Sequence, residues 1–415
     1  MKTCVLLLLA VLGFAPYTRA QLLLKNATII DGDAAVKPRK GSILVRHGMI
    51  EKIIEDGAVP DEQLTVIDCT GQFITPGLMD AHVHLATVDM NDQKGMHLKT
   101  DSILENMIRH GITTVRDMAG DAIFLAEYKR KTVTGQLAGP DIFYAAQFAG
   151  PGYFEMVKGG SRGDKDLGTT PWYRAVTPGT DLRLAVAEAK GAGVTGIKVY
   201  ADLTRKQIAA ITEAAHAQGI QVWSHGAVFP AKPADGVAAG VNSLSHAADL
   251  CFQQLKGDTL NVSKSWEQIY KHFVLDTLVQ RKLLQGMQQR HIFLDPTIFH
   301  ATNNKMWNAL TITRMAHQLG VKIVTGTDWI YPEKNEEVPL EQEMALLVNK
   351  CGLTTAEVIQ CATLNSAGVV GLQDRGVVRA GKRADLLITN VDPYTNISAL
   401  FTPAVVIKDG KVLRW

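Results

Sequence analysis

The chain has 415 residues, of which 46% are hydrophobic, 20% charged and 7% aromatic, a mix that excludes a disordered tail, a disulfide-stapled miniprotein and a collagen-like repeat. Lysine and arginine number 43 against 41 aspartate and glutamate, and without a basic tract there is no electrostatic footprint for nucleic acid or an anionic membrane surface. A small-molecule substrate becomes the default partner, and the length suits one large barrel with a small satellite domain.

Taken in chain order, residues 1–20 read as a signal peptide. Lys2 supplies the positive charge, Cys4 to Phe14 is an apolar run, Pro16 breaks it, and Thr18-Arg19-Ala20 is a small-residue cleavage site before Gln21. The run is too short for a membrane span, which needs roughly 20 apolar residues. The expected mature chain is therefore secreted or periplasmic, free of the membrane, and electrically neutral once Lys2 and Arg19 are gone. It keeps Cys69, Cys251, Cys351 and Cys361. None belongs to a C-x-x-C pair, so cysteine-ligated zinc and thioredoxin-like redox chemistry have no support. The four read as buried thiols, although an oxidising compartment permits disulfides.

From Leu22 to Thr75 the pattern is all β. Leu22 to Ile30, Gly41 to Arg46, Met49 to Ile54 and Leu64 to Ile67 are apolar or alternating runs, separated by Asp31-Gly32-Asp33, His47-Gly48 and Asp56-Gly57, which are hairpin-type turns. The far end mirrors this with Ala384 to Thr389, Ala404 to Ile407 and the Asp409-Gly410 turn. The expectation is a small β-sandwich assembled from residues 21–75 and 376–415, with residues 76–375 inserted in it.

That insertion alternates strand and helix. Strand candidates are Gly77 to Leu85, Gly111 to Asp117, Asp141 to Ala146, Val194 to Tyr200, Ile220 to His225, Val241 to His246, His291 to Pro296 and Val321 to Asp328. Helices lie between them at Arg183 to Ala192 and at Thr204 to Gln218, where Thr204 is an N-cap. Eight alternating β and α elements imply a parallel sheet closed into a (β/α)8 TIM barrel. The competing doubly wound fold wants a G-x-G-x-x-G turn after its first strand, and there is none. Gln147 to Asp181, rich in glycine and aromatics, reads as a lid over the active face. A helix is expected over Trp266 to Gln289, and the capping box Thr354-Thr355-Ala356-Glu357 should open another through about Asn365.

The chemistry sits at the strand ends. In Asp80-Ala81-His82-Val83-His84, alternation turns both histidines to one side, roughly 6.6 to 6.8 Å apart along the strand, a spacing that suits chelation of one divalent metal as well as ordinary packing. Lys198, His225, His246 and Asp328 each fall where an apolar run gives way to a loop, which in a TIM barrel is the catalytic face. A lysine so placed must have its charge paired, lost or chemically altered; a salt bridge to a loop carboxylate is the plainest of these.

Pro76-Gly77-Leu78-Met79-Asp80-Ala81-His82-Val83-His84, Lys198, His225, His246 and Thr327-Asp328, with Ala362-Thr363-Leu364-Asn365-Ser366-Ala367, Gly376, Gly381-Lys382 and Ala384-Asp385-Leu386 near the end, resemble the amidohydrolase superfamily across nearly the whole mature chain. Within it the chain is most similar to the imidazolonepropionase-like and Xaa-Pro dipeptidase (prolidase) branch, including ochratoxin-type amidases. The resemblance implies two divalent metal ions bridged by a carboxylated Lys198, with His82, His84 and Asp328 on the more buried ion and His225 and His246 on the other. Zinc is the first choice for this nitrogen and oxygen donor set. True imidazolonepropionases hold one metal without a bridging lysine, so Lys198 argues against that activity.

The resemblance thus implies a metal-dependent hydrolase of the amide bond to a C-terminal amino acid, acting on Xaa-Pro dipeptides, N-acyl amino acids or ochratoxin-like amides. Asp328 is both ligand and catalytic proton carrier. Tyr200, two residues past Lys198, and Arg116, Arg162 and His300 are candidates for binding the substrate carboxylate. The alternatives are a cyclic-amide, lactone or phosphotriester hydrolase, or an inactive barrel scaffold. The resemblance also leaves room for a homo-oligomer.

Overall fold

The computed structural model describes residues 21–55, 64–87, 93–158, 167–255, 274–301, 304–328 and 338–415. The expected signal segment 1–20, the Asp56-Gly57 turn, Arg162 and the first part of the helix expected from Trp266 lie outside them.

Both chain ends build one sheet. β1 (Leu22–Ile29), β2 (Arg39–Arg46), β3 (Met49–Ile54), β4 (Thr65–Asp68) and β5 (Phe73–Pro76) come from the N-terminus. β14 (Leu386–Thr389), β15 (Val405–Lys408) and β16 (Lys411–Val412) come from the C-terminus. Their order is β16-β15-β14-β5-β1-β2-β3, with β4 also on β1. The turns His47-Gly48 and Asp409-Gly410 have positive φ at both residues, the geometry that matches the twist of a two-residue hairpin. Leu22, Leu24, Ile43, Val45, Ile74, Leu386, Ile388 and Ile407 share one apolar core, so the satellite closes on itself as a sandwich-like unit made of one continuous sheet. β5 is the strand the sequence pattern left unassigned; antiparallel to β14, it is the seam between the two chain ends.

Gly77 carries the chain from this sheet into the barrel. A Cβ there would come within 2.3 Å of the Thr113 side chain, so the crossing needs a glycine. β6 (Leu78–Val83), β7 (Ile112–Asp117), β8 (Asp141–Ala149), β10 (Gly196–Val199), β11 (Gln221–His225), β12 (Ser243–Ser245) and β13 (Phe293–Asp295) run parallel in sequence order. The eighth segment, residues 321–328, bonds to both neighbours. Val324 N–H donates to the Leu294 carbonyl, Ala81 N–H to that of Thr325, and Asp328 N–H to that of His82. The ring is therefore closed, as the alternating pattern implied.

The helices follow their caps. Asp181 accepts from Leu184 N–H to start Leu182–Gly191, and Thr204 with Gln207 forms a full capping box for Arg205–His216. The Thr354–Glu357 box is present too, but that helix runs on through a π turn at Cys361–Asn365 to Val370, past the expected end. The stretch 147–181 is more built than a lid loop. It continues β8, forms the helix Pro151–Val157, and adds β9 (Tyr173–Ala175) to the end of β8. Tyr153, Phe154 and Tyr173 pack there with Ala119, Ala149 and Ala201.

Cys69, Cys251, Cys351 and Cys361 are free and buried. Among the described residues no helix is long and apolar enough to cross a membrane.

Candidate active site

Alternation along the strands sorts the barrel interior into levels. Near the floor lies Trp223, fully buried, its indole N–H donating to the Val369 carbonyl. Gly196 makes room for it, since a Cβ there would sit 2.3 Å from the ring. Two residues further along these strands, Lys198 and His225 share that inner side, as do Arg116 of β7, Gln147 of β8, Ser245 of β12 and Asp295 of β13. Polar residues this deep need partners.

Asp295 is the hub of that level. Its Oδ2 is 2.7 Å from His82 Nδ1, 2.9 Å from Arg116 Nη2 and 3.0 Å from Ser245 Oγ. Burial alone would raise its pKa, but His82 and Arg116 outweigh that and hold it at about 2. Arg116 is fully buried, pairs with Asp295 and lies 4.7 Å over the Trp223 ring. Arg116, expected as a candidate for the substrate carboxylate, thus has its guanidinium in an internal ion pair and is absent from the lining of both cavities of the site.

Above this level the histidines converge on one carboxylate. Asp328 Oδ1 is 3.1 Å from His82 Nε2 and 2.9 Å from His84 Nε2, while Oδ2 is 3.6 Å from both His246 Nδ1 and His300 Nε2. Burial works against the Asp328 charge, but His82 and His246, with hydrogen bonds from His82 and His84, keep its pKa well below the ordinary value. The His225 ring stands 4.3 Å from that of His246, which is 5.0 Å from that of His82. Burial drives the pKa of both His225 and His246 well down, so their imidazoles are neutral. Lys198 Nζ has Ser245 Oγ at 3.3 Å and, among the described residues, no ion pair; burial brings its pKa down to about 8. Among the described residues, the salt bridge that would have explained this lysine is not made.

The backbone carries strain at these points. His246 and Asp328 have φ of 67° and 54°, a left-handed conformation costing a non-glycine residue on the order of 1–3 kcal/mol. Asp80 offsets part of this at the end of β6 by accepting from His82 N–H, Thr327 N–H and Thr327 Oγ–H.

His82, His84 and Asp328 each present one ligand atom, all within 4.8 Å of one another. Imidazoles with a carboxylate, and no cysteine among them, are the donors of a catalytic rather than a closed structural metal site. The residues present thus fit a divalent ion. Two adjoining cavities of about 220 and 260 Å3 open over them and share Tyr200, His246, His300 and Asp328. Tyr200 packs edge-on against His225 and tilted against Tyr153. His300 is 44% exposed at the mouth.

Three polar residues of the site had no assigned role in the sequence pattern. Asp295 ends the run His291 to Pro296, so the strand-end rule that found Asp328 could have found it. Asp249 Oδ2 lies 3.6 Å from His225 Nδ1, in a 3-10 turn with no sequence mark of its own. Gln147 reads as the start of a loop but belongs to β8.

Known proteins share this arrangement of fold and chain. The chain is 35% identical over 79 residues to the imidazolonepropionase of Deinococcus radiodurans, a stretch covering 19% of this chain and 20% of that enzyme's length. A Xaa-Pro dipeptidase solved with methionine in its active site superposes with a TM-score of 0.75 and 22% identity, covering 95% of this chain and all of that one. The ochratoxinase of A. niger superposes with a TM-score of 0.72 and 19% identity over 95% of each chain. The sequence profile of the amidohydrolase family matches residues 73–413, and on that span, with its nitrogen and oxygen donors gathered at the strand ends, the chain belongs to the amidohydrolase family of metal-dependent hydrolases acting on carbon–nitrogen bonds.

Proposed function

We propose that the exported, mature chain cleaves the amide bond to a C-terminal amino acid, as in Xaa-Pro dipeptides, N-acyl amino acids or ochratoxin-like amides. The observation that carries this is the convergence of His82, His84, His246 and His300 on the single carboxylate of Asp328. The dipeptidase and ochratoxinase among the structural neighbours support the choice of bond.

On this reading His82, His84 and Asp328 would hold one divalent ion and His225 and His246 a second, zinc in both places, with Lys198 as a carbamate the remaining ligand. Bound there, such ions acidify a water at neutral pH and polarise the scissile carbonyl. Asp328 starts ionised, held so by the surrounding imidazoles. At Oδ2, the oxygen that faces His246 and His300, it would take a proton from the attacking water and pass it to the departing amine. His82, fixed by Asp295 through Nδ1, keeps Nε2 aimed at Asp328, as second partners do for metal-binding histidines. Tyr200 and His300, lining the mouth, orient the substrate's carboxylate.

The test is direct. Metal-replete mature protein with bicarbonate is offered Xaa-Pro dipeptides, N-acyl amino acids and ochratoxin-like amides, and free amino acid is scored against a chelated control. Chelator-sensitive release from one group names the leaving residue. Silence across the panel with metal bound defeats the proposal and favours cyclic amides, lactones or phosphotriesters.

A further inference from the structure

Gln147 on β8 and Lys198 on β10 are register partners in the parallel ladder. Partners on adjacent strands lie about 4.8 Å apart and project to the same side of the sheet, so the amide and the amine enter the barrel interior together. Gln147 is 2% exposed. Its Nε2 has no hydrogen-bond partner among the described residues, and its side chain lines the same cavity as His82, His84, Lys198 and Tyr200. An orphaned donor this deep is costly and calls for an explanation.

Beside it, Lys198 is 1% exposed and has only the Ser245 hydroxyl as a hydrogen-bond partner, with no carboxylate in ion-pair range among the described residues. The two defects are complementary. Among the described residues, an N–H donor lacks an acceptor and a buried cation lacks an ion-pair partner. An aspartate or glutamate at position 147 would pair the ammonium and leave Lys198 a plain salt bridge. An amide cannot neutralise it, but it can donate to an anion that replaces it.

We infer that Gln147 is the positioning residue that donates a hydrogen bond to a carbamate on Lys198. The inference rests on the carboxylated-lysine part of the proposed function and adds the group that holds it. In forming the carbamate, the Lys198 ammonium gives one proton to water and the freed lone pair of Nζ bonds to the carbon of CO2. One carbon–oxygen bond pair moves onto oxygen, and a second proton leaves Nζ to water. No electrons are exchanged, and CO2, in equilibrium with bicarbonate, is the one co-reactant. The product is a planar anion whose oxygens accept from Gln147 Nε2.

The test uses zinc-loaded mature protein equilibrated with carbon-13 bicarbonate, the carbamate carbon being read by NMR and assigned by its loss in Lys198→Ala. Gln147→Met keeps the length of the side chain and removes the donor. The bicarbonate concentration for half-maximal signal should rise about tenfold, at the lower end of what losing a partner behind a metal ligand does. Should that variant fail to fold, Gln147→Leu carries the same comparison. A wild-type signal with the same half-saturation in the variant overturns the role of Gln147 and leaves the carbamate standing. No signal in the wild type, metal being bound, overturns the carbamate and this inference with it.

Discussion

One oxygen of Asp295 lies 2.7 Å from His82 Nδ1 and 2.9 Å from Arg116 Nη2, so a single buried carboxylate serves an imidazole and a guanidinium at once. Asp295→Asn preserves the shape and removes the charge. Arg116 is then an uncompensated buried cation, which costs about 3–5 kcal/mol, and His82 loses the partner that fixes its orientation, for roughly a 10- to 100-fold loss of metal affinity. Urea unfolding and a zinc competition titration measure the two effects separately. Unchanged zinc affinity in a destabilised variant would confine Asp295 to a structural role.

Asp328 divides binding from turnover. On the proposed mechanism Asp328→Asn removes the proton carrier while Tyr200 and His300 still line the mouth. At saturating zinc, with metal content measured, kcat should fall by about 10³-fold, within the usual span for a positioned acid–base group, and KM should change far less. A comparable loss in KM would instead make Asp328 a binding residue.

Glu343 sets a pH dependence away from the metal ligands. It reaches from the helix Pro339–Cys351 to accept from the N–H groups of Ile298 and Phe299, at 3.1 and 2.6 Å, bracing the segment between Thr297 and His300. Burial raises its carboxyl to about 8, more than the two N–H donors lower it. The folded state thus holds a proton that the unfolded chain releases near the ordinary value of 4.5. Its contribution is complete below that value and is lost as pH rises through about 8, with a slope of at most about 1.4 kcal/mol per pH unit. Urea midpoints of wild type and Glu343→Gln across this window should converge as pH rises. Parallel curves would remove Glu343 from the pH response.

Position at a strand end singled out His82, His84, Lys198, His225, His246 and Asp328, the family resemblance gave them their expected metal roles, and in the structure they line two adjoining cavities. Strand periodicity and the turn residues at 47–48 and 409–410 also marked both the barrel and the satellite sheet. What escaped was decided by register and depth. Arg116 carries the same charge whether it faces substrate or Asp295, and only the closed ring shows that the Asp295 carboxylate on β13 reaches across to it. Gln147 looked like the start of a loop because Gly150 and Pro151 come soon after, yet its pairing with Lys198 places it inside. β9 borrows its strand character from the end of β8 rather than from an apolar run of its own.

The closure of the ring also orders events in time. His84 and Asp328 meet across 244 positions of chain, and the first and last strands join through the Ala81–Thr325 and His82–Asp328 backbone bonds. A chain that has emerged only as far as β13 carries its histidines and Lys198 but lacks the carboxylate that gathers them. Contacts this distant in sequence form late in folding, so on the proposed assignment metal capture would wait for the eighth strand. An ion held by His82, His84 and Asp328 would then act as a clasp on the same junction, and its loss should loosen the first and last strands before any other pair.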